Sequence, residues 1–318
     1  MEQRSVFELK TPSGATLKVE RYRFGSVGGP RITFVAGMRG DAPEGIRVAF
    51  RLMRALERME GQLQGCVEVY PCINTLAAEQ GQRLWPGFDV DQNRQFPGNP
   101  QGHPPARLAH ALMESIRNTQ LLVELRGARP GFVELPQAMI LAENAEREVV
   151  EGVTLLDVAR QCNTPILWKR SRGEKGNKTL GHQISNSIIV EGGQGNHLTA
   201  DVGENLTDGC LYLLTRVGVL PEEDLPFPWV AMDDPIVLAD GAVRRARVER
   251  AGLFLPSVHL GQQVLEKDEL GVVIDPRTAQ RIETIYAESH GTVAALRNQP
   301  VVSPGDMVAR IYNLQQGE

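Results

Sequence analysis

Gly37-Met38-Arg39-Gly40-Asp41-Ala42-Pro43-Glu44-Gly45 is the stretch whose reading decides the rest. It closes residues 31–37 (RITFVAG), a short apolar run ending in glycine, the pattern of a buried strand. Pro43 suits the first turn of a helix, and Ile46, Phe50, Met53, Leu56 and Met59 follow it at roughly helical spacing. The stretch is therefore expected at a turn from strand to helix.

Outward from that turn the same alternation continues. Residues 66–73 (CVEVYPCI), Leu121–Leu125, and residues 138–141, 164–168 and 187–191 (SIIVE) read as strands. Pro104–Ile116 reads as a helix with Leu108, Leu112 and Ile116 on one face. A helix is expected around residues 147–161, and residues 211–217 close another helical segment. Strands alternating with helices predict an α/β fold, a mixed sheet flanked by helices, over residues 1–220. The acidic, proline-rich residues 221–228 (PEEDLPFP) suit a linker. Beyond it, short β-like runs at residues 243–248, Gly252–Pro256, 271–274, 291–296 and 307–311 predict a small all-β domain over residues 229–318. Gly261-Gln262-Gln263-Val264 and Ser303-Pro304-Gly305-Asp306 look like halves of a pseudo-repeat, and the pattern resembles barrel-sandwich hybrid domains of the lipoyl type. No lysine occupies the turn at residues 275–278, which disfavours a covalent lipoyl or biotinyl carrier.

Composition narrows the function. Lys plus Arg total 34 against 39 Asp plus Glu, a formal charge of −5 that gives no support to nucleic-acid binding. No long apolar stretch is expected to cross a bilayer and the N-terminus lacks an apolar signal core, so a cytoplasmic location is expected. Cys66, Cys72, Cys162 and Cys210 form no C-x-x-C pair, which argues against a disulfide framework or a cysteine zinc site.

Three segments in order carry a resemblance. The first is the opening stretch. The second contains Asn74, Arg83 and Asp91-Gln92-Asn93-Arg94-Gln95-Phe96-Pro97-Gly98. The third is Glu124-Leu125-Arg126-Gly127, followed by Ile189-Val190-Glu191-Gly192-Gly193. Together they resemble the succinylglutamate desuccinylase/aspartoacylase family, a branch of the zinc-carboxypeptidase-like fold, over nearly the whole chain.

The resemblance implies deacylation of a small N-acyl amino acid at a zinc ion held by G-x-H-G-x-E and a later D-L-H. Here those three ligand positions hold Arg39, Ala42 and Arg126. Alanine has no donor atom, and a guanidinium stays protonated and offers no lone pair. The expected cofactor is therefore none. Glu44 or the histidines His103, His110, His182, His197, His259 and His290 would have to serve as substitute ligands, and they lack the spacing. The resemblance further implies that Asn93 and Arg94 grip a substrate carboxylate, that Arg83 also faces substrate, and that Glu191 is the catalytic acid or base. Arg39 and Arg126 are expected to replace the dication with fixed positive charge suited to a carboxylate or an oxyanion. Glu191 is as readily read as an ion-pair partner of Arg39 or Arg126, and Asn93-Arg94 as a structural pair within its turn. The basic loop at residues 169–175 could cap the cleft, but a charge run is usually a solvated face, so solvent is the favoured expectation. Three functions follow: a zinc-free deacylase acting on a carboxylate-bearing small molecule, a non-catalytic metabolite-binding or regulatory subunit pairing with an active paralogue, or a metal-dependent amide hydrolase with substitute ligands. A homo-oligomer is implied by the resemblance.

Overall fold

Strands buried at every position demand cover on both faces. Cys66–Tyr70 and Leu121–Leu125 are buried throughout, and both lie in the middle of a 13-stranded sheet. The computed structural model describes residues 1–10, 14, 16–173, 178–225 and 234–313. Strands β1 (Glu2–Lys10) and β2 (Thr16–Gly25) form the antiparallel edge. Inward lie β4 (Cys66–Tyr70), β3 (Arg31–Val35), β5 (Leu121–Leu125) and β10 (Ser187–Gln194), mutually parallel in that order.

β6 (Phe132–Leu141) then runs antiparallel to β10 and splits its free edge. Residues 137–141 pair with β9 (Ile166–Arg170), which carries β11 (Ile236–Ala239). Residues 132–134 pair with β17 (Gly291–Arg297), beyond which lie β19 (Met307–Tyr312) and β12 (Val243–Arg247), with the short β14 (Gln263–Val264) also on β17. A second sheet orders β16 (Arg281–Tyr286), β15 (Glu269–Ile274), β13 (Gly252–Pro256) and β18 (Val301–Val302). Residues past the expected linker thus extend the main sheet as well as building the expected β layers, and the turn between β15 and β16 falls at residues 275–280. Residues 226–228 of that linker lie outside the described residues.

Helices α1 (Pro43–Arg58), α4 (Leu155–Ala159) and α6 (Ala200–Arg216) cover one face, where Phe34, Val123, Leu125, Ile188, Val190 and Ala138 join Leu52, Leu56, Leu206 and Leu213 in one core. α3 (Pro104–Ile116) covers the other face near Leu122, and α2 (Thr75–Glu79) and α5 (Leu180–Gln183) are short connectors. Because side chains alternate across a strand, Glu124, Ile189, Glu191, Gln137 and Met139 share the face opposite α1 and α6.

Two expectations are corrected here. α1 only partly follows that spacing: Leu56 is buried, Met53 packs half-buried against the core and Ile46 is half-buried, but Phe50 is 62% exposed, and the buried face runs through Gly45, Val48, Ala49, Leu52 and Leu56. The helix lies so close to β5 that a Cβ on Gly45 would sit 2.2 Å from the Leu125 carbonyl oxygen, so small residues set the contact face. Residues 147–161 are not one helix. β7 (Glu148–Val150) and β8 (Val153–Thr154) form a ribbon turning at Gly152 with φ of 70°, and Thr154 caps α4 in a reciprocal bond with Asp157.

Candidate active site

The parallel strands β3, β5 and β10 end on the same side of the sheet, and each brings a charged residue there. Arg39 sits on a loop pressed against the segment following β4. A Cβ on Gly37, where φ is 62°, would meet the Cys72 Cα at 2.7 Å, and one on Gly40 would meet the Ala77 carbonyl at 1.9 Å. That close approach requires glycine and fixes where Arg39 emerges. Its Nε and Nη2 donate to Asp41 Oδ1 and Oδ2 at 2.9 and 3.0 Å.

Arg126 follows β5 directly. Its Nε donates to Glu124 Oε2 at 3.1 Å, and its Nη2 to the same oxygen. Glu124 is 1% exposed, and its Oε1 has no hydrogen-bond partner among the described residues. Burial works to lower the Arg126 pKa, but Glu124 and Glu191 outweigh it and hold the group above its ordinary value.

A 3-10 turn over Gln92–Arg94 supplies the second wall. Gln92 is pinned by Trp85, whose Nε1 donates at 2.7 Å, and donates in turn to the Pro105 carbonyl at 3.1 Å. Asp91 accepts the Asn93 amide at 3.0 Å and two bonds from Arg83, at 3.0 and 2.6 Å. The Asn93 Oδ1 accepts the Leu180 amide at 3.0 Å, tying the turn to α5, while Arg94 projects outward. The Asn93 side chain thus links this turn to α5.

These elements enclose a cavity of about 250 Å³ lined by Arg39, Arg83, Asn93, Arg94 and Arg126, five of the six expected site residues. Arg170, Ser171 and Gly173 line it too, which corrects the expectation that the loop at residues 169–175 merely faces solvent; residues 174 and 175 lie outside the described residues. The Arg170 guanidinium stacks 5.0 Å from the Trp168 ring and has no carboxylate partner among the described residues. A strand-end arginine preceded by an aromatic was the available signal, masked by the charge of the loop that follows. His182 also lines the cavity, hydrogen-bonded through Nδ1 to the Thr179 hydroxyl. Burial, then Arg172 and Arg170, lower its pKa against the opposing Glu124 and Glu143.

Glu191, the sixth expected residue, stands beside this cavity rather than in its lining. It makes no ion pair among the described residues, so the expected pairing with Arg39 or Arg126 is replaced by Asp41 and Glu124 as those arginines' partners. Its Oε1 accepts from Gln137 Nε2 at 2.8 Å. Burial, then the nearby Glu134, raise its pKa against the lowering influence of Arg126, Arg310 and Arg129. A carboxyl so placed holds its proton more readily than an exposed glutamate and can serve as acid or base. Glu44 is turned away: its Oε2 accepts the Thr199 amide at 2.7 Å at the start of α6.

Residues 28–213 match the model of the succinylglutamate desuccinylase/aspartoacylase catalytic domain, and the chain belongs to that family. It is 25% identical over 293 residues, 89% of this chain and 82% of the relative, to the N-alpha-acetyl-L-2,4-diaminobutyric acid deacetylase of Halomonas elongata. The fold is that of a succinylglutamate desuccinylase/aspartoacylase from Rhodobacter sphaeroides, at a TM-score of 0.82 and 21% identity over 98% of this chain and 95% of that one. A product-bound ectoine utilization protein from Ruegeria pomeroyi superposes at a TM-score of 0.77 and 19% identity, covering 96% of this chain and 92% of that one. Among the described residues no helix is long and apolar enough to cross a membrane.

Proposed function

We propose that the chain hydrolyses the amide of a small, carboxylate-bearing N-acyl amino acid without a zinc ion at the family's usual position. The observation that carries this reading is the gathering of Arg39, Arg83, Asn93, Arg94 and Arg126 around one cavity with Glu191 beside it. The donor set does not fit zinc. Guanidinium, methyl and guanidinium offer no lone pair, Asp41 pairs through both oxygens with Arg39, and Glu124 and Glu44 each have one oxygen engaged, on Arg126 and on the Thr199 amide respectively. No group of three or more His, Cys, Asp or Glu suited to a metal occurs among the described residues.

In this account Arg94, Arg83 and Asn93 anchor a substrate carboxylate, and Arg170 extends the positive rim toward a second one. Arg39 and Arg126 each have two nitrogens occupied by a neighbouring carboxylate, which fixes the guanidinium plane and leaves Nη1 to face the acyl oxygen as negative charge develops there. Glu191 takes a proton from water as the water oxygen attacks the acyl carbon, then returns a proton to the departing amine as the C–N bond breaks. The test is turnover of N-acyl glutamate and aspartate by the wild type and by Glu191→Ala. The wild type releases the free amino acid, and the variant binds substrate without turning it over; equal turnover by both removes Glu191 from the mechanism.

One observation favours a second reading. Because Asp41, Glu124 and Asp91 already neutralise three cleft arginines, the cavity suits a non-catalytic member that binds a metabolite or supports an active paralogue. Binding of an N-acyl amino acid with no turnover by the isolated chain selects it.

A further inference from the structure

Behind Glu191 lies a group of polar side chains that the proposed chemistry leaves unused. Gln137 is 1% exposed and Tyr312 is fully buried, and both lie on the Glu191 face of the sheet. The Tyr312 hydroxyl donates to Gln137 Oε1 at 2.6 Å. A phenol can donate or accept but an ionised carboxylate only accepts, so the carboxylates assign the two ends of the amide: Nε2 is the end that meets them, Glu191 Oε1 at 2.8 Å and Glu134 Oε2 at a marginal 3.5 Å. Glu134 has its own counterions: Arg310 Nη2 donates to its Oε2 at 2.9 Å and Arg129 Nε to its Oε1 at 2.9 Å.

We propose that Gln137 and Tyr312 are positioning residues for Glu191, through which the last strand, β19, orients the carboxyl group that the function above assigns to proton transfer. The proposal rests on that reading for its consequence in catalysis, but its geometry stands independently. With Oε1 held by the Gln137 amide, Oε2 is the oxygen left to take and return the proton. The Tyr312–Gln137 link is buried and the Gln137–Glu191 link part-buried, so a Gln137 or Tyr312 group left unsatisfied there would be costly. An apolar pair would fill the same space without that risk. Apolar packing alone does not account for a tyrosine hydroxyl and a glutamine amide in series. The Tyr312 ring packs edge-on against Trp168 at 6.0 Å, so the ring and the hydroxyl have separable roles.

The groups facing Glu191 are Glu134 and Gln137 from β6, Arg126 and Arg129 from the β5–β6 connection, Arg310 and Tyr312 from β19, and Arg170 from β9. An amide N–H donated to a carboxylate favours its ionised form, so removing the donor must move the Glu191 midpoint upward.

The experiment is a carboxyl 13C NMR titration of the full chain labelled at glutamate, with the Glu191 signal assigned by its loss in Glu191→Gln. It is run on the wild type, on Tyr312→Phe, which keeps the ring, and on Gln137→Met, which keeps the volume but not the donor. The Glu191 midpoint is expected to rise by about one pH unit in Gln137→Met and by less in Tyr312→Phe. The acid limb of kcat/KM should move with it while KM stays near the wild-type value. Should Gln137→Met fail to fold, the upward shift in Tyr312→Phe carries the test alone. A Glu191 midpoint unchanged in folded Tyr312→Phe and in any folded Gln137→Met overturns the proposal. A shifted midpoint in a chain that deacylates nothing would sink the deacylase reading and leave the positioning intact.

Discussion

A guanidinium whose fork is filled by its own neighbour is a different tool from a free one. Arg39 with Asp41, and Arg126 with Glu124, are pairs two residues apart that fix orientation while cancelling much of the charge. If Arg94 grips the substrate carboxylate as proposed, lysine cannot reproduce its planar fork, so Arg94→Lys should raise KM by roughly tenfold with kcat little changed. Steady-state kinetics on an N-acyl amino acid read this, and an equal fall in kcat with KM unmoved would show that Arg94 acts on the reaction rather than on binding. Burial raises the pKa of Glu191, so as a base it gains activity through a midpoint above the ordinary glutamate range, and the acid limb of kcat/KM should lie there. Glu44 has a raised pKa as well, from burial first, against its bond to Thr199 and the charge of Arg47. With a folded pKa above the unfolded one, it contributes stability below the ordinary glutamate value that is lost as pH rises through the folded value. Melting temperature should therefore fall less steeply over that window in Glu44→Gln than in the wild type. Parallel curves would show that Glu44 does not titrate differently on folding.

At the scale of elements, the contact between α1 and β5 carries the geometry of the cleft. Gly45→Ala forces a methyl group against the Leu125 carbonyl immediately before Arg126, and should destabilise the fold by about 1–3 kcal/mol in urea unfolding. A neutral result would mean that the helix can back away from the sheet without cost. This contact also explains what was legible in the sequence. β5 and the helix Pro104–Ile116 are apolar in a strict period, so their bounds follow from the pattern. α1 was found by Pro43, but its face was misread, because close packing prefers Gly45 and Ala49 over the larger Phe50, and apolar periodicity gives more weight to size. Arg39 and Arg126, in loops after β3 and β5, and Arg83, Asn93 and Arg94, in the connection between α2 and α3, were singled out by motif order and line one cavity. Arg170 and Gln137 were not so singled out. The place of Arg170 depends on β9 pairing with β6, and that of Gln137 on β6 pairing with β10 and on Tyr312, all distant in sequence, and no local pattern encodes those pairings.

For the molecule as a whole, the main sheet passes without interruption from β10 through β6 to β17 and β19, so the C-terminal strands share hydrogen bonds with the strands of the site. Calorimetry should accordingly record one cooperative transition for the full chain, and two well-separated transitions would show that the β region folds as an independent unit. Such continuity lets a residue near the end of the chain reach Glu191, and it gives the arginine-lined cavity a rigid wall. Around that wall the net chemistry is positive charge held by fixed counterions. The most direct measurement is the metal content of purified, active protein, taken together with turnover before and after chelation. The account predicts zinc well below one equivalent and turnover that survives chelator. One equivalent of zinc whose removal abolishes turnover, and whose return restores it, would contradict it.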